Sequence, residues 1–119
     1  MPLTIETRIE DGVAIFDLAG QLTLGPSLLS LRHAARDVLA DPTVAGIILR
    51  VGSVTNADSS GLSELTIVYT AASKRGCPMR LVEVNPNLQK MLVVTHLNAV
   101  LIAAQDVPQA KKELKGRPN

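Results

Sequence analysis

The chain has 119 residues, of which 12 are Lys or Arg and 11 are Asp or Glu, so its formal net charge is +1 with both histidines neutral. Hydrophobic residues make up 46% of it and aromatic residues 2%. This length favours one domain with its own core, and this apolar content excludes a disordered chain. The small charge and the scarcity of aromatic side chains argue against nucleic acid as a partner. The single cysteine excludes a disulfide framework and any multi-cysteine metal site.

The ends of the chain carry no predicted targeting signal. The N-terminal residues lack the apolar stretch that follows basic residues in a signal peptide. No run of about 18 apolar residues occurs, so we predict no transmembrane helix and no direct membrane insertion. We therefore expect a cytoplasmic protein with a single domain over residues 1–119, in which residues 116–119 form a frayed tail.

Two strands joined by a tight turn are predicted first. Residues 3–9 alternate between apolar and polar side chains, and residues 12–19 are mostly of the β-forming type. Asp11-Gly12 lies between them, and Asp-Gly between such runs is typical of a β-hairpin. Gly20 is expected to end the second strand.

A helix is predicted to begin at Pro26 and to stop at Asp41-Pro42. Proline suits the first position of a helix, and the residue that precedes a proline is disfavoured in one. Apolar residues at helical spacing form the predicted inner face (Leu28, Leu29, Leu31, Ala35, Val38 and Leu39), with Arg32, Arg36 and Asp37 outside.

The rest of the chain alternates between strands and helices. Residues 44–51 form a nearly continuous apolar run, typical of a strand buried on both faces, and residues 52–60 are expected to form a loop. Helical spacing returns from Gly61 to Arg75. Further elements are predicted as a strand over residues 78–84, a helix from Asn85-Pro86, a strand over residues 99–103 and a helix from Val107 to Lys115. This order predicts an α/β fold with a mostly parallel, mixed five-stranded sheet, an antiparallel first strand and about four helices.

The segment from Asn56 to Leu62 is the most informative about function. It follows the buried third strand and opens the second helix, and ligand sites in open α/β sheets lie outside the carboxyl ends of strands. Asp58, Ser59 and Ser60 all suit a helix N-cap, and Gly61 permits close approach of another backbone or a ligand. Simple capping is one interpretation. A serine whose phosphate is stabilised by the helix N-terminus is the other.

At these residues the chain resembles the STAS family, the sulfate-transporter and anti-sigma-factor-antagonist domains. Asp58-Ser59-Ser60-Gly61-Leu62 is similar to the family's loop motif, and the likeness extends to residues 20–25, 80–86 and 91–97. The resemblance implies the STAS (SpoIIAA-like) fold and, for a stand-alone protein, an anti-sigma factor antagonist. Such a protein binds an anti-sigma factor that is also a serine/threonine kinase. Phosphorylation of the serine after the Asp releases the antagonist from the kinase, and a serine phosphatase removes the phosphate.

Carried over to this chain, the resemblance implies phosphorylation of Ser59, with Ser60 as the alternative. No second His or Cys lies at metal-ligand spacing, so we predict no metal site, and we predict no cofactor. The sequence leaves the oligomeric state open between a monomer and a weak dimer. Many members have Asp where this chain has Thr23 and a bulky residue where it has Ala57. A non-phosphorylated STAS scaffold, or a regulatory subunit of a stress-signalling or transport-ATPase complex, is the alternative function. The implied partner-binding residues are Thr23, Leu24, Asn56, Asp58, Ser60, Gly61 and Leu62.

Other candidate functional residues have weaker support in the sequence. Ser59, Glu83 and His96 occur in the chain order of a serine hydrolase, but the chain is short for that fold, and we expect no enzyme. Cys77 is expected to be buried or half-buried. Four apolar residues are expected near the strand ends, where they form either a partner surface or the top of the core: Leu22, Leu24, Val54 and Leu62.

Overall fold

A five-stranded sheet in the spatial order β1-β2-β3-β4-β5 organises the computed structural model, which describes residues 2–115. Its strands are β1 (Thr4–Glu10), β2 (Val13–Leu22), β3 (Gly46–Ala57), β4 (Met79–Val82) and β5 (Ala103–Ala104). The helices are α1 (Leu29–Leu39), α2 (Ser59–Lys74), α3 (Pro86–Val94) and α4 (Val107–Lys115), with short 3-10 helices at Pro26–Leu28 and Leu97–Ala99. Strand β1 is antiparallel to β2, and the other neighbouring strands are parallel. The predicted fold class is therefore confirmed, while the predicted tail at residues 116–119 lies outside the described residues.

The hairpin at Asp11-Gly12 forms as predicted, but β2 does not end at Gly20. Asp11 and Gly12 have φ angles of 55° and 77°, the left-handed pair that a tight hairpin turn requires. Gly20 has φ 97°, and the pairing of β2 with β3 shifts register beside it. The shift leaves Thr55 as an extra residue in β3, so Gly20 lies beside a bulge of β3, and β2 continues to Leu22.

Strand β3 is longer than the apolar run that predicted it. The loop expected over residues 52–60 is wrong, because residues 53–57 continue the strand beside the end of β2. Leu22 pairs with Ala57 in this extension. Gly52, Ser53, Thr55 and Asn56 are exposed, and polar exposed residues gave no strand signal in the sequence.

Helices cover the sheet unequally. Ala14, Phe16 and Leu18 of β2 belong to a large core that also contains buried residues of α1, α2 and α3. The alternate residues Val13 and Ile15 belong to a smaller core with residues of α4. Because successive side chains of a strand point to opposite faces, α1 to α3 cover one face and α4 covers part of the other.

Some predicted helix and strand boundaries were wrong. Pro26 begins a 3-10 turn, α1 starts at Leu29, and Leu29 is exposed although it was predicted on the inner face. Strand β4 ends at Val82 because Glu83 adopts φ 62°, and residues 97–99 form a 3-10 helix where a fifth strand was predicted to begin. Helix α4 has the predicted bounds.

Candidate functional site

Two loops meet beyond the carboxyl ends of β2 and β3. Leu22 and Ala57 are paired neighbours at the ends of these strands, so the chain leaves the sheet at adjacent points. The Asp58 nitrogen donates to the Leu22 carbonyl at 3.2 Å, and the Asp58 Oδ2 atom accepts from the Leu24 nitrogen at 3.1 Å. These bonds hold the loop that follows β2 against the start of α2.

The N-cap of α2, left open by the sequence, is Asp58. Its backbone is extended, and its Oδ1 atom accepts from the Gly61 nitrogen at 2.9 Å. The backbone N–H of Leu24, followed by that of Gly61, stabilises the carboxylate and lowers the pKa of Asp58. Ser59 and Ser60 are therefore the first two residues of the helix, where backbone N–H groups have no intrahelical acceptor.

Gly61 lets the backbone of α2 lie close to the backbone of Leu22 at the end of β2. A Cβ atom at this position would lie 1.9 Å from the Leu22 oxygen and 2.7 Å from the Leu22 carbonyl carbon. A side chain of any size is thus excluded unless the backbone moves. The glycine lets the first turn of α2 rest directly on the end of β2.

The residues of the predicted partner surface lie at different depths. Leu24 is 78% exposed, Asn56 and Ser59 are exposed, and Thr23, Asp58 and Ser60 are half-buried. Gly61 and Leu62 lie beneath them, and Leu62 is 2% exposed. Of the four apolar residues expected near the strand ends, Leu22, Val54 and Leu62 close the top of the core, and Leu24 projects into solvent.

A cleft adjoins this surface on the side of α3. It lies between the last residues of β3, including Asn56, and the first turn of α3. Asn85 caps that helix, with its Oδ1 atom 2.8 Å from the Leu88 nitrogen. This carbonyl oxygen is already used by the fold. The end of β3 contributes two polar residues to the lining of the cleft, Thr55 and Asn56.

The residues in hydrolase order are not brought together. Glu83 follows β4, where its Oε2 atom accepts from the Arg50 Nε atom at 2.9 Å. His96 is exposed beyond the end of α3. Within residues 2–115, none of the hydrogen bonds joins Ser59, Glu83 and His96 to one another, although a triad requires contact between its members.

Other candidate residues have ordinary surroundings. Cys77 is 4% exposed, as predicted, and the Arg75 Nη2 atom lies 3.1 Å from its sulfur. His33 is on the exposed face of α1. In the part of the chain that the structure describes, no three His, Cys, Asp or Glu side chains are grouped to hold a metal ion, and no helix has the length and apolar content to cross a membrane.

Residues 4–110 match the family model of the STAS domain. The chain belongs to the STAS domain family. The motif Asp58-Ser59-Ser60-Gly61-Leu62, which suggested this family, forms the N-cap and first turn of α2, directly after β3. Comparison with curated proteins finds no match.

Solved STAS structures resemble the chain over nearly its whole length. An anti-sigma factor antagonist from Mycobacterium paratuberculosis is 19% identical, with a TM-score of 0.80 over 95% of this chain and 94% of that one. The phosphorylated form of the Bacillus cell fate determinant SpoIIAA is 16% identical, with a TM-score of 0.69 over 94% and 98%. The murine anion transporter of the Solute Carrier 26 family is 14% identical, with a TM-score of 0.78 over 98% of this STAS chain and 22% of the transporter. At these identities the likeness establishes the fold.

Proposed function

We propose that this STAS protein is an anti-sigma factor antagonist. In this proposal it binds an anti-sigma factor that is also a serine/threonine kinase, and phosphorylation of Ser59 releases it. The observation that carries the proposal is the position of Ser59, which is exposed in the first turn of α2, directly after a capping Asp that is tied to a second loop.

The first turn of α2 is suited to a phosphate. Backbone N–H groups at the start of a helix attract anions, and the helix dipole favours negative charge there. Phosphorylation of Ser59 is therefore compatible with the folded state. Its effect on a partner would come from charge and bulk at the surface, without unfolding of the domain.

The two loops carry little charge of their own, which makes one phosphate decisive. Asp58 is the only ionisable side chain in residues 20–27 and 53–63. A phosphoserine adds about −1.5 to −2 charges at neutral pH. The unmodified surface thus carries a single negative charge and the apolar Leu24. The modified surface carries about −2.5 to −3 charges and repels a partner that binds the unmodified one.

The proposed contact surface consists of the exposed parts of both loops. Leu24 offers an apolar side chain, and Thr23, Asn56, Asp58 and Ser60 surround Ser59 with polar groups. Gly61 and Leu62 support this surface from below, since both are buried. We propose the anti-sigma kinase as the partner, and a serine phosphatase as the enzyme that removes the phosphate.

Phosphorylation is tested with the purified protein, ATP and the candidate anti-sigma kinases of its host. We expect mass spectrometry to find one phosphate on Ser59 and none in Ser59→Ala. A phosphate on Ser60 alone would move the site by one residue. No phosphate on either serine with any of the kinases would contradict the switch.

Binding is tested by titration calorimetry with the same kinase. We expect Ser59→Ala to bind like the unmodified protein and Ser59→Asp to bind at least tenfold more weakly. Ser73→Asp is the matched control, because Ser73 is an exposed serine about 21 Å further along α2. Equal affinities of Ser59→Asp and Ser73→Asp would contradict an effect of charge at the loop.

A non-phosphorylated regulatory subunit is the second candidate, favoured by the structural similarity to part of an anion transporter. Under that function the chain would purify in a complex with transport or scaffold subunits, whether or not Ser59 is changed to Asp. Affinity purification of both forms from the native host distinguishes the two candidates.

A further inference from the structure

A groove of about 650 Å³ runs between α1 and α2, away from the two loops. The two helices are parallel, because contacts join both their N-terminal halves and their C-terminal ends. At the beginning, Arg32 donates two hydrogen bonds of 2.9 Å to Glu64. At the end, the Arg75 guanidinium donates to the carbonyl oxygens of Leu39 and Asp41.

The floor of the groove is apolar and open to solvent. Ile67 is 41% exposed, Ala40 and Ala71 are exposed, and Leu39 is half-buried. Ile67 and Ala71 are four residues apart on α2, so they form one stripe along the helix. The floor therefore offers a strip of apolar surface along the helix pair.

The rim of the groove is cationic. Its lining contains Arg32, Arg36, Lys74 and Arg75 and no acidic residue, in a chain whose net charge is only +1. Arg32 is neutralised by Glu64, and Arg75 is bound to backbone carbonyls. Arg36 and Lys74 are exposed, and neither has an ion-pair partner among residues 2–115. Two free positive charges thus stand on opposite sides of an apolar strip.

We propose that this groove docks an acidic amphipathic helix of another protein. A third helix fits the trough between two packed helices, with its apolar residues in the groove and its carboxylates beside Arg36 and Lys74. A second copy of this chain would bring the same cations face to face and is therefore disfavoured. A single acyl chain would remain largely in water, because the trough is open along its length.

The groove is separate from the surface proposed to bind the anti-sigma kinase. Ile67 lies eight residues after Ser59 on α2, about 12 Å along the helix axis. The chain would then bind two partners through different surfaces. The two proposals can fail independently.

The test titrates isotope-labelled full chain with a capped helical peptide of about 16 residues, long enough to form a helix. The peptide has leucines at every third or fourth position, glutamates beside them and alanines elsewhere, because glutamate at every other position would destabilise the helix by like-charge repulsion. We expect saturable amide shifts centred on Ala35, Leu39, Ile67 and Ala71, and affinity that falls as salt is added. A peptide with lysines in place of the glutamates is the first control and should bind at least tenfold more weakly.

Protein variants locate the binding. Arg36→Glu combined with Lys74→Glu should lower the affinity for the acidic peptide at least tenfold. Ile67→Ser should lower this affinity several-fold. Lys90→Glu combined with Lys112→Glu makes the same charge change at exposed lysines of α3 and α4, and should leave the affinity unchanged. Ser59→Asp should also leave it unchanged, and thermal unfolding verifies that each variant is folded.

Three results would overturn the proposal. One is the absence of saturable amide shifts in the groove up to about 1 mM peptide, since a Kd weaker than this would not indicate a specific site. Another is an equal loss of affinity for the acidic peptide in the two double variants, the one in the groove and the control on α3 and α4. The third is binding to phosphatidylglycerol vesicles through the same residues and more tightly than to the peptide, which would assign the groove to a lipid surface.

Discussion

The carboxylate of Asp58 binds the backbone of Leu24 across 34 residues of sequence, with 3.1 Å between Oδ2 and the Leu24 nitrogen. Its other oxygen caps α2 through the Gly61 nitrogen at 2.9 Å. One side chain therefore sets both the start of α2, where Ser59 is exposed, and the position of the exposed Leu24. The geometry of the proposed partner surface depends on this residue.

Replacement of Asp58 should separate its two roles. Asp58→Asn retains one carbonyl oxygen that can cap Gly61, but its amide group cannot accept a hydrogen bond from Leu24. We expect a lower urea midpoint for Asp58→Asn than for the unmodified protein, and a lower one still for Asp58→Ala. Asp37→Ala is the control, since Asp37 is an exposed carboxylate on α1 without an ion pair among the described residues. A midpoint of Asp58→Ala equal to that of Asp37→Ala would refute this role.

The stability that Asp58 provides should be lost in acid. The hydrogen bonds from Leu24 and Gly61 lower its pKa in the folded protein. Its contribution is then complete above the unfolded pKa of about 3.9 and disappears as the pH falls through the lower folded value. We expect the difference in unfolding free energy between the unmodified protein and Asp58→Ala to shrink between roughly pH 5 and pH 2. A constant difference over this range, measured by urea titration, would contradict the pKa shift.

Gly61→Ala should destabilise the protein although alanine favours helices. The added Cβ would collide with the Leu22 carbonyl, and relief of such overlap costs about 1–3 kcal/mol. Gly25→Ala is the matched control, because no heavy atom lies within 4 Å of its Cβ position and its backbone is extended. Chemical denaturation of both variants measures the difference, and equal stability would mean that the contact with Leu22 is readily relieved.

Arg75 should stabilise the connection between α1 and β3. Its guanidinium donates to the carbonyl oxygens of Leu39, Asp41 and Val44. We expect Arg75→Ala to lower the unfolding free energy by about 1–3 kcal/mol and to speed the reaction of buried Cys77 with a thiol reagent. Lys74→Ala, at the adjacent exposed position, should change neither quantity. Unchanged thiol reactivity in Arg75→Ala would show that Arg75 does not protect the cysteine.

Ser59→Asp should fold as well as the unmodified protein. A carboxylate in the first turn of a helix interacts favourably with the dipole, and Ser59 is exposed. We expect a thermal midpoint at or slightly above that of the unmodified protein. A marked decrease would mean that any loss of kinase binding by this variant reflects unfolding.

Elements whose signals lie within a few neighbouring residues were predictable from the sequence, whereas elements that depend on pairing with distant residues were not. The hairpin at Asp11-Gly12 and the full extent of α4 were predictable, because they follow from local backbone preference and from helical spacing. The last residues of β3 were missed, because their exposed polar side chains resemble a loop while their backbone pairs with β2. A strand end was wrongly predicted at Gly20, because a glycine in a strand signals a terminus and a neighbouring bulge equally well, and here the bulge lies in β3 beside it.

The candidate site shows the same division. The motif from Asp58 to Leu62 was visible in the sequence, as were three residues suited to cap α2. The choice of Asp58 as the cap, and its bond to Leu24, required the positions of two chain segments far apart in sequence. The pairing of Arg32 with Glu64 was missed for the same reason, since helical spacing placed Arg32 on an outer face.

By itself, the sequence determined the α/β class, most of the helices and the serine-containing segment, because periodicity, turn residues and a short motif act over a few neighbouring positions. Only the tertiary structure decided which carboxylate joins the two loops, which apolar residues remain exposed, and that four cations line one apolar groove. Those properties arise when strand pairing and helix packing bring distant residues into contact, and a one-dimensional pattern does not contain these distances.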